Sequence, residues 1–148
     1  MISRSISLLS FNINGTKDKA SVIDEFINDY DIVCLQEHLL SSTSSSFLQR
    51  STSHQLFLVN SRRAFGRQSG GRACFVKRSL SGLNPAWLCS NDHFLAIQLG
   101  NTVVINTYLP HNARGIDSMT RFAKACSSLC SAVKQFADSE LTVLIVGD

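Results

Sequence analysis

Polar side chains that could bind a metal ion or a phosphate group follow the apolar runs of this 148-residue sequence. Asn12 and Asn14 come after the first apolar run, and Glu37 comes after the second. Tyr108 and Asp148 each follow a later run. Carboxylate and amide oxygens suit Mg²⁺, which usually keeps several waters and binds through carboxylates together with substrate phosphates. The residue types therefore favour chemistry at a phosphate group.

The elements that must position these residues have an α/β pattern. Residues 5–11 nearly alternate polar and apolar side chains, and residues 17–30 place apolar side chains at helical spacing. Residues 31–35 form a short apolar run typical of a strand covered on both faces. This strand–helix–strand order favours parallel pairing. Since ligands gather at the carboxyl ends of such strands, we expect the polar residues to share one cleft.

The rest of the chain predicts more strands, two loops and one long helix. We predict strands over residues 56–59, 73–76, 94–99, 102–107 and 141–146, the last of them buried. Residues 41–53 and 62–72 are predicted as loops, and residues 117–138 as a helix. Cys126 and Cys130 lie four residues apart on that helix, which predicts that both pack in the core.

Composition excludes several classes of protein. An apolar fraction of 44% is too high for a disordered chain, and the length suits one domain over residues 1–148. No apolar run approaches the roughly 20 residues of a membrane span, and no secretory signal is visible. Five cysteines without a CxxC pair argue against a disulfide framework or a zinc knuckle and favour a reducing, intracellular compartment.

Charge is distributed unevenly along the chain. Residues 39–90 contain seven basic and no acidic residues, whereas the remainder contains seven basic and eleven acidic ones. A locally basic protein of this kind could bind a polyanion through one face. Arg62, Arg63, Arg67 and Arg72 are the candidates for contacting the phosphates of such a polyanion. A solvated loop is the alternative interpretation of this run.

Four segments, FNING, DIVCLQEH, VINTYLPHN and LTVLIVGD, resemble the endonuclease/exonuclease/phosphatase superfamily in the family's order. NING and CLQE are most similar to the endonuclease domains of LINE-type retrotransposons. The resemblance implies a four-layer α/β/β/α sandwich with a DNase-I-like fold. The chain would supply its N-terminal part, a truncated domain with an incomplete second sheet that ends at the GD of the GDxN motif.

The resemblance also implies roles for individual residues. Asn12 matches the asparagine that positions the scissile phosphate and belongs to the metal site, and Glu37 matches the principal Mg²⁺ ligand. Asn14 stands where many members have an Asp, which weakens its expected metal role. Tyr108 matches a tyrosine that supplies a hydroxyl beside the phosphate. Asp148 matches the aspartate that orients or deprotonates the attacking water.

The sequence departs from the family pattern in two places. His111 stands where the family's YxPN motif has an asparagine, with Asn112 one position later. The asparagine of GDxN and the closing Ser-Asp-His motif are absent from the sequence. Because general acid–base catalysis alone contributes about 10²–10⁴-fold, we expect the 148-residue chain by itself to be inactive.

The function implied by the resemblance is Mg²⁺-dependent nicking of DNA, with Mn²⁺ as an alternative cation. Its implied partners are DNA and a reverse transcriptase in the same polyprotein, and a DNA target implies access to the nucleus. Two alternatives remain open: a phosphatase of the same superfamily, and a non-catalytic remnant that binds nucleic acid. Each site residue also has a simpler interpretation, such as a turn asparagine or a solvated carboxylate.

Overall fold

Two four-stranded sheets carry the core of the protein. A computed structural model describes residues 5–64, 67–110 and 116–148. The first sheet has the order β1 (Leu8–Asn12), β2 (Ile32–Gln36), β6 (Arg72–Lys77) and β3 (His54–Val59). Helix α1 (Ala20–Asp29) connects β1 to β2, and these two strands pair in parallel. This arrangement confirms the predicted strand–helix–strand unit.

The second sheet has the order β10 (Thr142–Gly147), β9 (Thr102–Thr107), β8 (Phe94–Leu99) and β7 (Ala86–Ser90). Strands β8 and β9 form the predicted antiparallel hairpin. Helix α2 (Ile116–Asp138) precedes β10, which pairs in parallel with β9. Strand β7 was not predicted from the sequence.

Apolar side chains divide the molecule into four layers. Cys34 and Val76 of the first sheet pack against Leu95 and Ile97 of the second, so the main core lies between the sheets. On the outer face of the first sheet, α1 buries its apolar side against β2 and β6. On the outer face of the second sheet, α2 buries Phe136 in the same way. The predicted α/β/β/α arrangement is therefore confirmed.

The prediction of a loop over residues 62–72 is wrong. Strands β4 (Arg62–Ala64) and β5 (Arg67–Ser69) pair antiparallel as a small separate sheet, and β6 already begins at Arg72. The arginines obscured this pattern because a basic, glycine-containing stretch lacks the apolar alternation by which a strand is usually found. The serine-rich stretch before it contains a 3₁₀ turn, Ser45–Leu48, that buries Leu48.

Two burial predictions near the C-terminal end also fail. Strand β10 lies at the edge of its sheet, with Leu144 and Ile145 42% and 46% exposed, because only β9 pairs with it. On α2, Cys126 is half-buried and Cys130 is exposed. Ala125, in contrast, is buried. No helix within residues 5–64, 67–110 and 116–148 is both long and apolar enough to cross a membrane.

Candidate active site

A cavity of about 510 Å³ opens at one edge of the two sheets. Four of the residues singled out from the sequence line it together: Asn12, Glu37, Tyr108 and Asp148. Leu109, Pro110 and Phe122 complete the lining. The fifth candidate, Asn14, is exposed and is not part of this lining.

Strand direction explains why these residues converge. Asn12 is paired with Gln36 at the carboxyl ends of β1 and β2, which places Glu37 beside Asn12. In the second sheet Gly147 is paired with Thr107, which places Asp148 beside Tyr108. Each parallel pair thus contributes two polar residues to one rim, as expected for the carboxyl ends of parallel strands.

A direct hydrogen bond joins the two sheets at this rim. The side-chain amide of Asn12 donates to Oδ2 of Asp148 over 2.8 Å. The Asn12 amide oxygen in turn accepts the backbone N–H of Asn14 at 3.0 Å. Asn14 therefore contributes a backbone contact that orients Asn12.

Gly147 allows Asp148 to reach its position. A Cβ atom at Gly147 would lie 1.8 Å from the carbonyl oxygen of Thr107, and the residue has φ +135°. Any side chain would therefore push β10 away from β9. Asp148 is held from both sides, because its N–H donates to Thr107 and its carbonyl accepts the N–H of Leu109.

The Glu37 backbone adopts a conformation that is uncommon for a residue with a side chain. Its φ of +54° lies in the left-handed region, and such strain often marks functional sites. The carbonyl of Glu37 accepts the N–H of Gly15 at 2.7 Å, which ties it to the turn after β1. Among the residues that the structure describes, no side chain pairs with the Glu37 carboxylate. The carboxylate is therefore available to a ligand.

His38 anchors the turn that carries Glu37, a role that the sequence analysis did not assign. Its ring is fully buried, and Nδ1 accepts the N–H of Leu40 at 3.0 Å. Nε2 therefore carries the hydrogen and donates to the carbonyl of Val59 at 2.9 Å. Burial lowers the pKa of His38 to about 4, which keeps the ring neutral. Gly71 makes room for it, because a Cβ there would lie 2.5 Å from the ring.

A buried amide pair lies one layer below the cavity, and it too was missed from the sequence. Gln36 donates to Oδ1 of Asn106 at 2.7 Å. The Asn106 amide nitrogen donates to the carbonyls of Leu35 and Ala73, both at 3.1 Å. Gln36 directly precedes Glu37. This network therefore fixes the spacing of the two sheets next to the site.

The four predicted phosphate-binding arginines do not share one environment. Arg62, Arg63 and Arg67 are exposed on the small sheet, and Arg62 forms an ion pair with Asp92 at 2.7 Å. Arg72 differs from the prediction, because it is only 2% exposed. Its two terminal nitrogens donate to backbone carbonyls in the turn before β8, each at 2.7 Å. Burial lowers its pKa to about 10, so it remains charged at neutral pH.

The donor set fits a hard divalent cation. Glu37 and Asp148 bring two carboxylates to one cavity, and Asn12 adds an amide. Within the described residues, no group of three or more Asp, Glu, His or Cys side chains could hold a metal ion. Two carboxylates are nevertheless what Mg²⁺ typically uses when the substrate's phosphate supplies further ligands. His111 and Asn112, where the sequence departs from the YxPN pattern, lie outside the described residues.

Comparison with known proteins identifies the fold. No protein-family model and no curated protein matches the sequence. Solved structures do match. An AP endonuclease from Leishmania major has a TM-score of 0.74 and is 20% identical in sequence, and the match covers 99% of this chain and 55% of the endonuclease chain. A Neisseria 3′ phosphatase bound to product DNA hairpin has a TM-score of 0.73, and a Neisseria meningitidis 3′–5′ exonuclease 0.72. Both are 14% identical over 97% of this chain and 57% of theirs. This chain thus spans little more than half the length of these enzymes, and it has their DNase-I-like α/β/β/α fold.

Proposed function

We propose that the 510 Å³ cavity is a divalent-metal site for phosphodiester hydrolysis, of the DNA-nicking kind found in LINE-type endonuclease domains. One observation carries the proposal. Asn12, Glu37, Tyr108 and Asp148, which are far apart in sequence, line a single cavity at the carboxyl ends of two parallel strand pairs.

The position of each side chain in the cavity supports a role for it. Glu37, whose carboxylate is unpaired among the described residues, would hold Mg²⁺ or Mn²⁺ together with an oxygen of Asn12. A bound cation would stabilise negative charge on the phosphate. Asp148 is oriented by the Asn12 amide and would accept a proton from the attacking water. The Tyr108 hydroxyl would donate to a phosphate oxygen.

Nucleic acid is the substrate that we favour. One of the similar structures is described as bound to a product DNA hairpin, and the exposed arginines of β4 and β5 suit a polyanion. We extend the proposal, on the resemblance of the NING and CLQE segments, to a reverse transcriptase as a partner in the same polyprotein and to action in the nucleus.

A phosphatase is the second candidate, because one similar structure is described as a 3′ phosphatase. The two candidates differ in the bond that is cut. Release of inorganic phosphate from a 3′-phosphorylated oligonucleotide, without nicking of supercoiled plasmid, would favour the phosphatase. Nucleic-acid binding without metal binding would instead favour a non-catalytic protein.

Metal binding tests the proposal directly, whatever the rate of turnover. Mn²⁺ titrated into the 148-residue chain should lose its free-ion electron paramagnetic resonance signal as it binds. The Glu37→Gln variant should lose this binding, because one of the two carboxylates is removed. Glu25→Gln, which neutralises an exposed carboxylate on α1, is the matched control and should bind Mn²⁺ like the parent chain. Equal binding by both variants would refute the proposal.

A further inference from the structure

A second, basic pocket adjoins the candidate active site. Its volume is about 630 Å³, and it shares Tyr108 and Pro110 with the first cavity. The following charged or titratable side chains line this basic pocket: Arg62, Arg72, Asp92, His93, Arg121 and Lys124. Four cations and one carboxylate thus surround one space.

The single acid does not neutralise the basic pocket. Asp92 forms its ion pair with Arg62, and Arg72 is bonded to backbone carbonyls. Among the described residues, no carboxylate pairs with Arg121 or Lys124. Three positive charges therefore remain without a carboxylate partner around the pocket.

His93 also lines the basic pocket. Burial lowers the pKa of His93, while the charge of Asp92 raises it and the charges of Arg72 and Arg62 lower it. The imidazole therefore stays neutral beside the cations and can donate a hydrogen bond without adding charge.

Three separate elements bring these cations together. Arg121 and Lys124 are three residues apart on α2 and so lie on the same face of the helix. Arg62 comes from β4, and Arg72 comes from the start of β6. Arg121 and Lys124 are exposed and have no carboxylate partner among the described residues, so they can reach a ligand in the pocket, whereas the guanidinium of Arg62 is held by Asp92. Arg72 contributes charge from below, because it is buried.

We propose that the basic pocket binds a phosphate group of a nucleic-acid strand, adjacent to the phosphate that occupies the first cavity. Guanidinium and ammonium groups are the side chains that proteins use to bind phosphate oxygens. Because the two cavities share Tyr108 and Pro110, a strand with neighbouring phosphates can fill both, whereas a single phosphomonoester fills only one. This assignment rests on the proposed function and narrows its substrate to a polynucleotide.

Binding of short nucleotides in EDTA, where no metal-dependent cleavage occurs, tests the basic pocket. For the parent chain, a 5′-phosphorylated thymidine dinucleotide should bind several-fold more tightly than thymidine 5′-monophosphate. The double variant, which carries Arg121→Gln and Lys124→Gln, should bind the two nucleotides with similar affinity, because both side chains line the pocket. We call the higher affinity for the dinucleotide the dinucleotide gain. Lys134→Gln, an exposed lysine on the same helix outside the lining, should retain it. Circular dichroism checks that all three chains are folded.

Salt dependence gives a second readout with a labelled ten-nucleotide single strand. If the double variant contacts one phosphate fewer, its plot of log affinity against log salt concentration should be less steep by about 0.7. An unchanged slope together with an unchanged dinucleotide gain would overturn the assignment. The assignment would also be overturned if the double variant lost binding to phosphatidylserine vesicles but kept its binding to the dinucleotide. The pocket would then bind a lipid surface.

The two proposals fail in different experiments. Suppose that Glu37→Gln leaves Mn²⁺ binding intact while the double variant still loses the dinucleotide gain. The assignment of the basic pocket is then supported, and the proposed hydrolase site is refuted. If Glu37→Gln abolishes Mn²⁺ binding while the double variant keeps the gain, only the basic pocket is refuted.

Discussion

The side-chain amide of Gln36 donates a 2.7 Å hydrogen bond to the amide oxygen of Asn106, and this contact joins the two sheets inside the core. Gln36 lies one residue before Glu37, and Asn106 lies two residues before Tyr108. A shift of one sheet against the other would therefore break the pair and change the distance between these two site residues. The hydrogen bond between these two buried amides therefore holds the two sheets in a fixed relative position beneath the cavity.

Replacing Asn106 with alanine should destabilise the fold strongly. The change removes the acceptor of the Gln36 amide and the donor to Leu35 and Ala73, all of them buried. We expect a loss of about 3 kcal/mol in the free energy of unfolding, measured by urea denaturation. Gln98→Ala on β8 removes an amide whose one hydrogen bond within the described part of the chain is to the carbonyl of Gly100, and it should cost less than about 1 kcal/mol. If the two variants lost the same free energy of unfolding, the stabilising role of the Gln36–Asn106 pair would be contradicted.

Alanine at Gly71 should be far more costly than alanine at its neighbour Gly70. Both residues have positive φ, but a Cβ at Gly71 meets the His38 ring at 2.5 Å, whereas a Cβ at Gly70 meets nothing within 4 Å. We expect about 1 kcal/mol for Gly70→Ala from backbone strain and about 3 kcal/mol for Gly71→Ala from strain plus the clash. Thermal or urea unfolding of the pair measures the difference. Similar values would show that the His38 ring can move freely.

Arg72 should behave as a structural residue, unlike Arg63. In Arg72→Met, two backbone carbonyls in the turn before β8 lose their charged donors and a buried cation is removed, and we expect about 3 kcal/mol of lost stability. Arg63→Gln, at an exposed site, should leave stability unchanged and weaken DNA binding in low salt. Denaturation curves and fluorescence anisotropy separate the two effects. Wild-type stability in Arg72→Met would support the original prediction that this side chain faces phosphate.

Asp31 should make the stability of the fold depend on pH in the acid range. The backbone N–H of Ser7 lowers the pKa of Asp31 below its ordinary 3.8 against the effect of burial, with smaller contributions from the Ser7 hydroxyl and Lys77. On acidification the unfolded chain therefore takes up its proton first. The contribution of Asp31 is complete above pH 3.8 and disappears as pH falls through the lower, folded-state pKa.

The variant Asp31→Asn isolates this contribution. Its stability should fall below that of the parent chain at neutral pH, and the two should converge below pH 3.8. Glu25→Gln, at an exposed position on α1, should follow the parent curve throughout. A constant difference between Asp31→Asn and the parent across this range would show that the carboxylate charge is not involved.

The sequence was sufficient to predict that Asn12, Glu37, Tyr108 and Asp148 meet at the rim, although Asn14, expected there as well, is not part of the cavity lining. Polar residues that directly follow apolar strands must emerge at strand ends, and parallel pairing then brings Asn12 beside Glu37 and Tyr108 beside Asp148. The strand pattern is a local property of the chain, and a helix that connects two strands favours their parallel pairing. The four layers followed from the same pattern together with the resemblance to a known fold.

Other features depend on contacts between distant parts of the chain and could not be predicted. Arg72 was predicted to contact phosphate together with its neighbouring arginines, yet it is buried and donates to backbone carbonyls about twenty residues later in the chain. His38 and Asn106 are buried for the same reason, because their partners lie in other strands. Strand β10 has a buried-strand composition, but its exposure is set by its place at the sheet edge.

Mapping a bound Mn²⁺ ion by nuclear magnetic resonance tests the central claim most directly. Paramagnetic broadening reports which backbone amides lie near the ion. We predict that the amide signals of Asn12, Glu37, Tyr108 and Asp148 broaden together at low metal-to-protein ratio, because both sheets contribute to one cavity. Broadening confined to exposed carboxylates elsewhere, such as Asp29 or Asp117, with these four signals unchanged, would contradict the assignment of this cavity as the metal site.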